Sequence, residues 1–200
     1  MMRKPLDTYA QAAVNLYGII RLDEFVGIFN SQNTDQTTPD EVYALLLPNV
    51  LKSGWYGFYK DYIVHYEVLF DFDWVNYLEE EQSGKPRYIP PKERFLLFER
   101  ESYTDNDNWF RLHKFMWDAF GYSGRISNAF AEIRDHLTDN DFIKGFGGIL
   151  DKYNLAFEND KQVQQFLDLI MSVKNNTRTW ENKGHTPEEM AGLLANRRPN

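Results

Sequence analysis

The chain has 200 residues, the length of one ordinary domain or of a small domain with a second packed against it. Its hydrophobic fraction of 42% and aromatic fraction of 16% supply a sizeable core and exclude a disordered chain. The net charge of −8 disfavours a protein that coats nucleic acid nonspecifically, because phosphate contacts need clustered Lys and Arg. The sequence has no Cys, which excludes a disulfide framework, a thiolate nucleophile and a Cys-based zinc site.

The chain also lacks the sequence signals of a membrane or secreted protein. No apolar run approaches the roughly 20 residues that are needed to cross a bilayer. The first residues, MMRKPLDTY, are charged and lack the apolar core of a signal peptide. We therefore expect a soluble, cytoplasmic protein with no membrane partner.

Three helices are predicted in the first part of the chain. Apolar residues recur at helical spacing over residues 9–20 and again over residues 22–29. Residues 38–41, Thr-Pro-Asp-Glu, have the order of an N-cap, a first-turn proline and a capping-box acid, which predicts the start of the third helix. We expect Pro48 to kink or end that helix.

After Gly54 the apolar period changes from 3.6 to 2, which predicts β-strands. The segment WYGFYKDYIVHYEVLF is dense in aromatic and β-branched residues, and we predict a hairpin that turns near Lys60 and Asp61. Residues 62, 64, 66 and 68 would then share one strand face. Three helices followed by a hairpin is the order of a winged helix, so we expect a winged-helix-like lobe with a hairpin over residues 1–82.

The second predicted lobe covers residues 83–200 and is helical. It follows EEEQSGKPRYIPP, a linker-like segment rich in charge, Gly and Pro. Four amphipathic stripes begin behind residues that commonly cap helices, and a short capped helix begins near Thr186. The predicted class is therefore mainly α (α+β), with a winged-helix-like N-terminal lobe and a helical C-terminal lobe. The four expected N-caps are Asn108, Ser123, Thr138 and Asn159.

The segment from Asp61 to Gly84 contains no Lys or Arg, although it is rich in carboxylates and aromatic residues. Carboxylates along a rigid surface can imitate phosphates and occupy a basic groove on another protein, with aromatic side chains as anchors. A solvated acidic face is the alternative reading of the same pattern. The predicted partner-binding residues are Asp71, Asp73, Trp74, Glu79, Glu80 and Glu81.

Catalysis is not supported, because no nucleophile, base and orienting group can be nominated together. We assign no catalytic residue, metal ligand or cofactor. Three Asp-x-Asp triplets occur, and those at 105–107 and 139–141 sit beside predicted helix starts, where capping explains them. Asp71 and Asp73 are expected to share one strand face, which leaves a metal-dependent enzyme as the weakest alternative.

Residues 175–190, NNTRTWENKGHTPEEM, combine cationic, aromatic and helix-ending residues. Asn175 and Asn176 are expected to end one helix, and the Thr-Pro-Glu-Glu signature starts the next. Helix ending and restarting leave two residues unexplained. We expect Arg178 to donate hydrogen bonds to the exposed carbonyls of the helix that has ended, and Trp180 to fill the edge of the core. An alternative reading is a nucleic-acid regulator whose phosphate contacts come from Arg178, Lys183, Arg197 and Arg198.

The pairing of YAQAAVNLYGII near the start with NNTRTWENKGHTPEE near the end loosely resembles a set of uncharacterised proteins of gut Bacillota. Some of those proteins carry a Cys-containing SEC-C metal-binding tail. This chain ends in ANRRPN without Cys, so the resemblance implies no metal tail here and no catalytic residue. It does imply a bacterial or phage-borne origin.

These features lead to one main functional prediction and one runner-up. We expect a non-catalytic, acidic protein-binding module that docks on the basic surface of a nucleic-acid-processing protein, as inhibitors of the anti-CRISPR kind do. The runner-up is a winged-helix transcriptional regulator. It is disfavoured because the expected recognition helix begins with Asp40 and Glu41, which would face phosphates badly.

Overall fold

The computed structural model describes residues 3–137 and 142–196, and these residues form eleven helices and one three-stranded antiparallel sheet. The expected mainly helical α+β class is therefore confirmed. Contacts divide the chain into two compact units. The first contains the described residues of Met1–Thr104 and Arg178–Asn200, and the second contains those of Asp105–Thr177.

The first unit begins with a helix, a short strand and two further helices. Their bounds are α1 (Arg3–Tyr17), β1 (Ile19–Arg21), α2 (Leu22–Gln32) and α3 (Pro39–Ser53). The sequence did not predict β1, because its apolar residues continue the helical stripe of α1. Gly18 separates the two elements with a φ of 71°, a left-handed conformation that side chains rarely adopt.

Both ends of α3 follow from local chemistry. The Thr38 hydroxyl accepts a hydrogen bond from the Glu41 N–H, and the Glu41 carboxylate accepts one from the Thr38 N–H, which confirms the predicted capping box. Pro48 lies inside α3 and does not end it. The helix ends instead at Gly54, which adopts a φ of 68° and donates its N–H to the Val50 carbonyl.

The predicted hairpin is confirmed, with β2 (Tyr56–Tyr59) and β3 (Tyr62–His65) on either side of Lys60 and Asp61. The sheet order is β1-β3-β2, so β3 is the central strand. One face of the sheet packs on α1 and the other on a later helix, and every residue of β3 is buried as a result. The face that packs on α1 carries Ile20, Tyr56 and Ile63. The opposite face carries Ile19, Tyr62 and Val64.

The expected continuation of this strand through Leu69 is wrong. The chain turns into α4 (Tyr66–Leu69) and then α5 (Phe72–Gln82). His65 starts the first of these helices, because its Nδ1 accepts a hydrogen bond from the Glu67 N–H at 3.3 Å. By capping α4, His65 satisfies the backbone N–H of Glu67. The residues that follow are helical and do not extend the sheet.

The boundary predicted between residues 82 and 83 lies inside the first unit. After α5 this unit continues through α6 (Lys92–Leu97), and α11 (Pro187–Ala195) returns to it from the end of the chain. The Pro-rich segment is packed rather than free, since the Tyr17 hydroxyl donates to the Tyr88 carbonyl at 2.6 Å. Phe95 is buried in the same core cluster as the residues of α1.

The described residues of the second unit form four helices around one apolar cluster: α7 (Asn108–Phe120), α8 (Gly124–His136), α9 (Phe142–Lys152) and α10 (Asp160–Asn176). Asn159 caps α10 as predicted, accepting from the Gln162 N–H. Asn108 is the first residue of α7 rather than its cap. Ser123 occupies the N-cap position of α8 without a side-chain bond, and Thr138 lies outside the described residues.

Candidate functional site

The helix α5 carries most of the predicted partner-binding residues, and it faces solvent on one side. Its buried side contains Val75, Leu78 and Gln82. Because successive residues of a helix are about 100° apart, Asp73 and Glu80 lie one above the other on the exposed side. These two carboxylates therefore share one direction on a rigid element.

Asp71 and Asp73 do not share a strand face, which corrects the expectation from the sequence. Asp71 is the N-cap of α5, and its Oδ1 accepts a hydrogen bond from the Asp73 N–H at 3.0 Å. The pair is thus arranged by helix capping. Within the described residues, no group of three or more His, Asp or Glu side chains is placed to hold a metal ion.

The three consecutive glutamates near the end of α5 point in different directions. Glu79 and Glu81 lie about 100° to either side of Glu80. Glu79 accepts a hydrogen bond from the Tyr62 hydroxyl at 3.0 Å, and burial together with this bond raises the pKa of Tyr62 to about 12. Glu81 is 3.5 Å from the Lys85 ammonium. Of the three, only Glu80 extends the face that Asp73 begins.

Two exposed aromatic rings lie at the start of α5. Phe70 is 87% exposed and Phe72 is 52% exposed, and they bracket Asp71 in the sequence. Phe72 stacks on Tyr59 of the hairpin with a centroid distance of 4.7 Å and an interplanar angle of 20°. Such a ring is held in place, although it remains open to solvent.

We define the acidic-aromatic surface as Phe70, Asp71, Phe72, Asp73 and Glu80. Trp74, which the sequence placed with this group, is partly buried and faces Trp180 at a centroid distance of 5.7 Å. The two phenylalanines were not among the residues that the sequence predicted for partner binding. The pattern that could have indicated them is the alternation of aromatic and acidic residues in FDFDW (70–74). This alternation is typical of a strand, although these residues lie at the start of α5.

Arg178, a predicted phosphate contact of the runner-up function, is engaged inside the first unit. Its guanidinium donates to both carboxylate oxygens of Glu189, at 2.9 and 3.2 Å, and to the Gly184 carbonyl at 2.9 Å. The guanidinium carbon is 3.6 Å from the centre of the Tyr88 ring. Burial opposes ionisation of Glu189, yet the hydrogen bond from Arg178 holds its pKa below the ordinary value. Arg178 therefore orders the chain between α10 and α11.

The other residues of this segment have structural contacts as well. Trp180 donates its indole N–H to the Asn15 carbonyl at 2.9 Å, and His185 Nδ1 is 3.2 Å from Glu189. Burial, and then the charge of Arg87, lowers the pKa of Lys183. The remaining two predicted phosphate contacts, Arg197 and Arg198, lie outside the described residues.

Comparisons with protein-family models, with curated proteins and with solved structures give no match to this chain. The resemblance to proteins of gut Bacillota accordingly stays a prediction. Among the described residues, no helix combines the length and the apolar character that crossing a membrane requires.

Proposed function

We propose that this chain is a non-catalytic protein-binding module whose acidic-aromatic surface docks on the basic, nucleic-acid-binding surface of another protein. The observation that carries the proposal is the bracketing of Asp71 by two solvent-exposed phenylalanines at the start of α5. Large exposed rings cost free energy in water, and aromatic residues are among the side chains that dominate binding energies at interfaces.

The carboxylates beside the rings supply the charge that a basic groove recognises. Asp73 and Glu80 are two helical turns apart, which is about 10 Å along the axis of α5. Cationic side chains that normally bind phosphates would meet these carboxylates as substitutes, and opposite charges would speed the encounter. The absence of Lys and Arg over residues 61–84 keeps this part of the chain free of repulsive charge.

A protein that occupies a nucleic-acid groove excludes the nucleic acid, so the expected consequence of docking is inhibition. The proposed class is therefore an inhibitor of a nucleic-acid-processing enzyme, of the anti-CRISPR kind, carried by a phage or another mobile element. The first partner contact would be electrostatic, and the rings would then be buried in apolar pockets between the basic residues.

The test is affinity capture from a nuclease-treated bacterial lysate, with three forms of the tagged protein. The variant Asp73→Asn/Glu80→Gln removes two charges from the acidic-aromatic surface. The matched control, Glu79→Gln/Glu81→Gln, removes two charges from the same helix but from its other sides. We expect the wild type and the control to recover a nucleic-acid-processing protein, and the first variant to lose it.

The recovered protein is then purified and titrated with DNA or RNA in competition with the wild-type chain. Competitive displacement supports docking in the nucleic-acid groove. Equal recovery by both variants would show that the acidic-aromatic surface is not the binding site. Recovery without competition would show that the partner binds elsewhere than through its basic groove.

The winged-helix regulator remains a second candidate, supported by the order of elements in the first unit. Three helices precede the hairpin, and β1 completes a three-stranded sheet with it. Since Arg178 is engaged by Glu189, phosphate contacts would have to come from Lys183, Arg197 and Arg198. This function predicts DNA binding whose affinity falls steeply with salt. No binding in fluorescence anisotropy at low salt would remove it.

A further inference from the structure

We infer that a cleft beside the end of α2 binds a small zwitterion, of the class of the free amino acids. The cleft has a volume of about 330 Å³, and its lining comes from the first turn of α1, the end of α2 with the loop after it, and the start of α6. This volume is at the small end of the range for ligand sites, which fits a small metabolite. The inference is independent of the proposed function, because no residue of the acidic-aromatic surface lines the cleft.

Hydrogen bonds fix the wall of the cleft that α2 provides. Gln32 accepts at Oε1 from the Tyr9 hydroxyl at 3.1 Å and donates its Nε2 to the Pro90 carbonyl at 2.9 Å. Asn33 donates its Nδ2 to the Phe29 carbonyl at 2.8 Å. Both amide side chains are therefore held in place by the fold, and a ligand would meet a wall that is already ordered.

Two opposite charges line this cleft without pairing with each other. The Lys92 ammonium donates to Asn33 Oδ1. Because a lysine ammonium carries more than one N–H donor, further donors remain for a ligand. Asp35 lies on the exposed rim of the cleft. Within residues 3–137 and 142–196, the Asp35 carboxylate has neither an ion pair nor a hydrogen-bond partner.

A ligand that carries both charges matches this arrangement better than an ion of one charge. Its carboxylate would accept from the Lys92 ammonium and its ammonium would donate to the Asp35 carboxylate, and both contacts are charge-assisted hydrogen bonds. A simple anion would be repelled by Asp35, and a simple cation by Lys92. Pro5 and Phe29 also line the cleft, which favours an amino acid with a short apolar side chain.

The first test is thermal unfolding of the full chain in the presence of free amino acids. Glycine, alanine, valine, proline and leucine are added singly at roughly 10 mM, with acetate and ethylammonium as probes that carry one charge. We expect at least one of the amino acids to raise the melting temperature by about 4 °C, because a ligand that binds only the folded state stabilises it. Neither probe of single charge should raise it by more than about 1 °C.

The second test locates the site by calorimetric titration with the amino acid that gives the largest shift. Asp35→Asn and Lys92→Gln each remove one of the two charges, and we expect each to raise the dissociation constant by about tenfold or more. The matched controls, Asp40→Asn and Lys52→Gln, remove the same charges from exposed positions of α3 outside the cleft and should bind like the wild type. Circular dichroism and the melting temperature without ligand show whether each variant is folded.

Three results would overturn the inference. The first is that none of the amino acids raises the melting temperature of the wild type. The second is a shift with acetate as large as that with the amino acid, because the cleft would then bind anions without a role for Asp35. The third is wild-type affinity in both cleft variants, which would put the bound amino acid elsewhere on the chain. If Lys92→Gln does not fold, Asp35→Asn decides alone.

Discussion

The indole of Trp180 lies directly against Gly18, so closely that a Cβ on the glycine would be 2.7 Å from the indole Cδ2. The same indole donates its N–H to the Asn15 carbonyl and lies 4.8 Å, centroid to centroid, from the His65 ring. The C-terminal segment is thereby fixed on the junction of α1 and β1. Trp180 therefore has a structural role in the first unit.

The contact with Trp180 predicts a large cost for a methyl group at Gly18. We expect Gly18→Ala to lower the free energy of unfolding by about 3 kcal/mol, from left-handed strain and from the clash with the indole. Gly54→Ala is the matched control, because Gly54 has a φ of 68° but nothing within 4 Å of an added Cβ. It should cost about 1 kcal/mol. Equal losses in urea unfolding would contradict the close packing of Trp180.

The Arg178–Glu189 pair predicts a strong preference for the guanidinium group. Arg178→Lys keeps the charge but loses the two-pronged contact and the stacking on Tyr88, and we expect a loss of about 2 kcal/mol. The matched control is Arg21→Lys, since Arg21 pairs with Asp23 and Asp61 at an exposed site, where the substitution should leave stability almost unchanged. Chemical denaturation measures both. A neutral result for Arg178→Lys would mean that the pair contributes only charge.

The burial of His65 predicts that stability falls in mild acid. Burial lowers its pKa to about 4, so the folded state resists a proton that the unfolded state accepts near pH 6.5. The contribution of His65 to stability should therefore be constant above pH 6.5 and decrease by roughly 3 kcal/mol as the pH falls to 4. Protonation would also abolish the acceptance of the Glu67 N–H by Nδ1.

His65→Asn separates this effect from other titrations. Asn keeps a side-chain acceptor at the N-cap of α4 but does not titrate. We expect the variant to be less stable at pH 7, because the ring contacts are lost, and to show a flatter dependence between pH 6.5 and 4. Equilibrium unfolding across this pH range checks the prediction. An unchanged slope in the variant would assign the acid sensitivity to other groups.

In the second unit, the buried Asn106 predicts sensitivity to a single change of amide to carboxylate. Its Nδ2 donates to the Val173 carbonyl at 2.8 Å and to the Thr177 hydroxyl at 2.9 Å, and its Oδ1 accepts from the Asn108 N–H. Asn106→Asp cannot donate to these acceptors and should cost about 3 kcal/mol. Asn108→Asp, in the first turn of α7, should be neutral or slightly stabilising. Hydrogen exchange of the α7 and α10 amides distinguishes the two variants.

The acidic-aromatic surface predicts that binding and stability respond to different residues. Phe70→Ser should lower the affinity for the partner that the wild type recovers by about tenfold or more. It should leave the melting temperature unchanged, because the ring is almost fully exposed. Tyr62→Phe should do the reverse, since it removes the hydrogen bond to Glu79 from the interior side of α5. Calorimetry of binding and of unfolding measures both. If only Tyr62→Phe lost affinity, the partner-binding site would lie outside the acidic-aromatic surface.

The sequence by itself determined the features that depend on neighbouring residues. The capping boxes at Thr38 and Thr186 and the cap at Asn159 all follow from side-chain chemistry within a few residues. The amphipathic stripes of the second unit also predicted its buried cluster, because helical periodicity and burial on one face are the same property.

Only the tertiary structure decided which distant segments meet. β1 forms because Ile19 and Ile20 find backbone partners in β3, more than forty residues later, and local periodicity gives no sign of that pairing. His65 caps α4, and two helices follow where the sequence predicted a strand. The glutamates therefore point in different directions around α5, and Phe72 stacks on Tyr59. Long-range contacts also place residues 178–196 in the first unit, because Trp180 donates to the Asn15 carbonyl and Arg178 stacks on Tyr88, and both partners are far away in the chain.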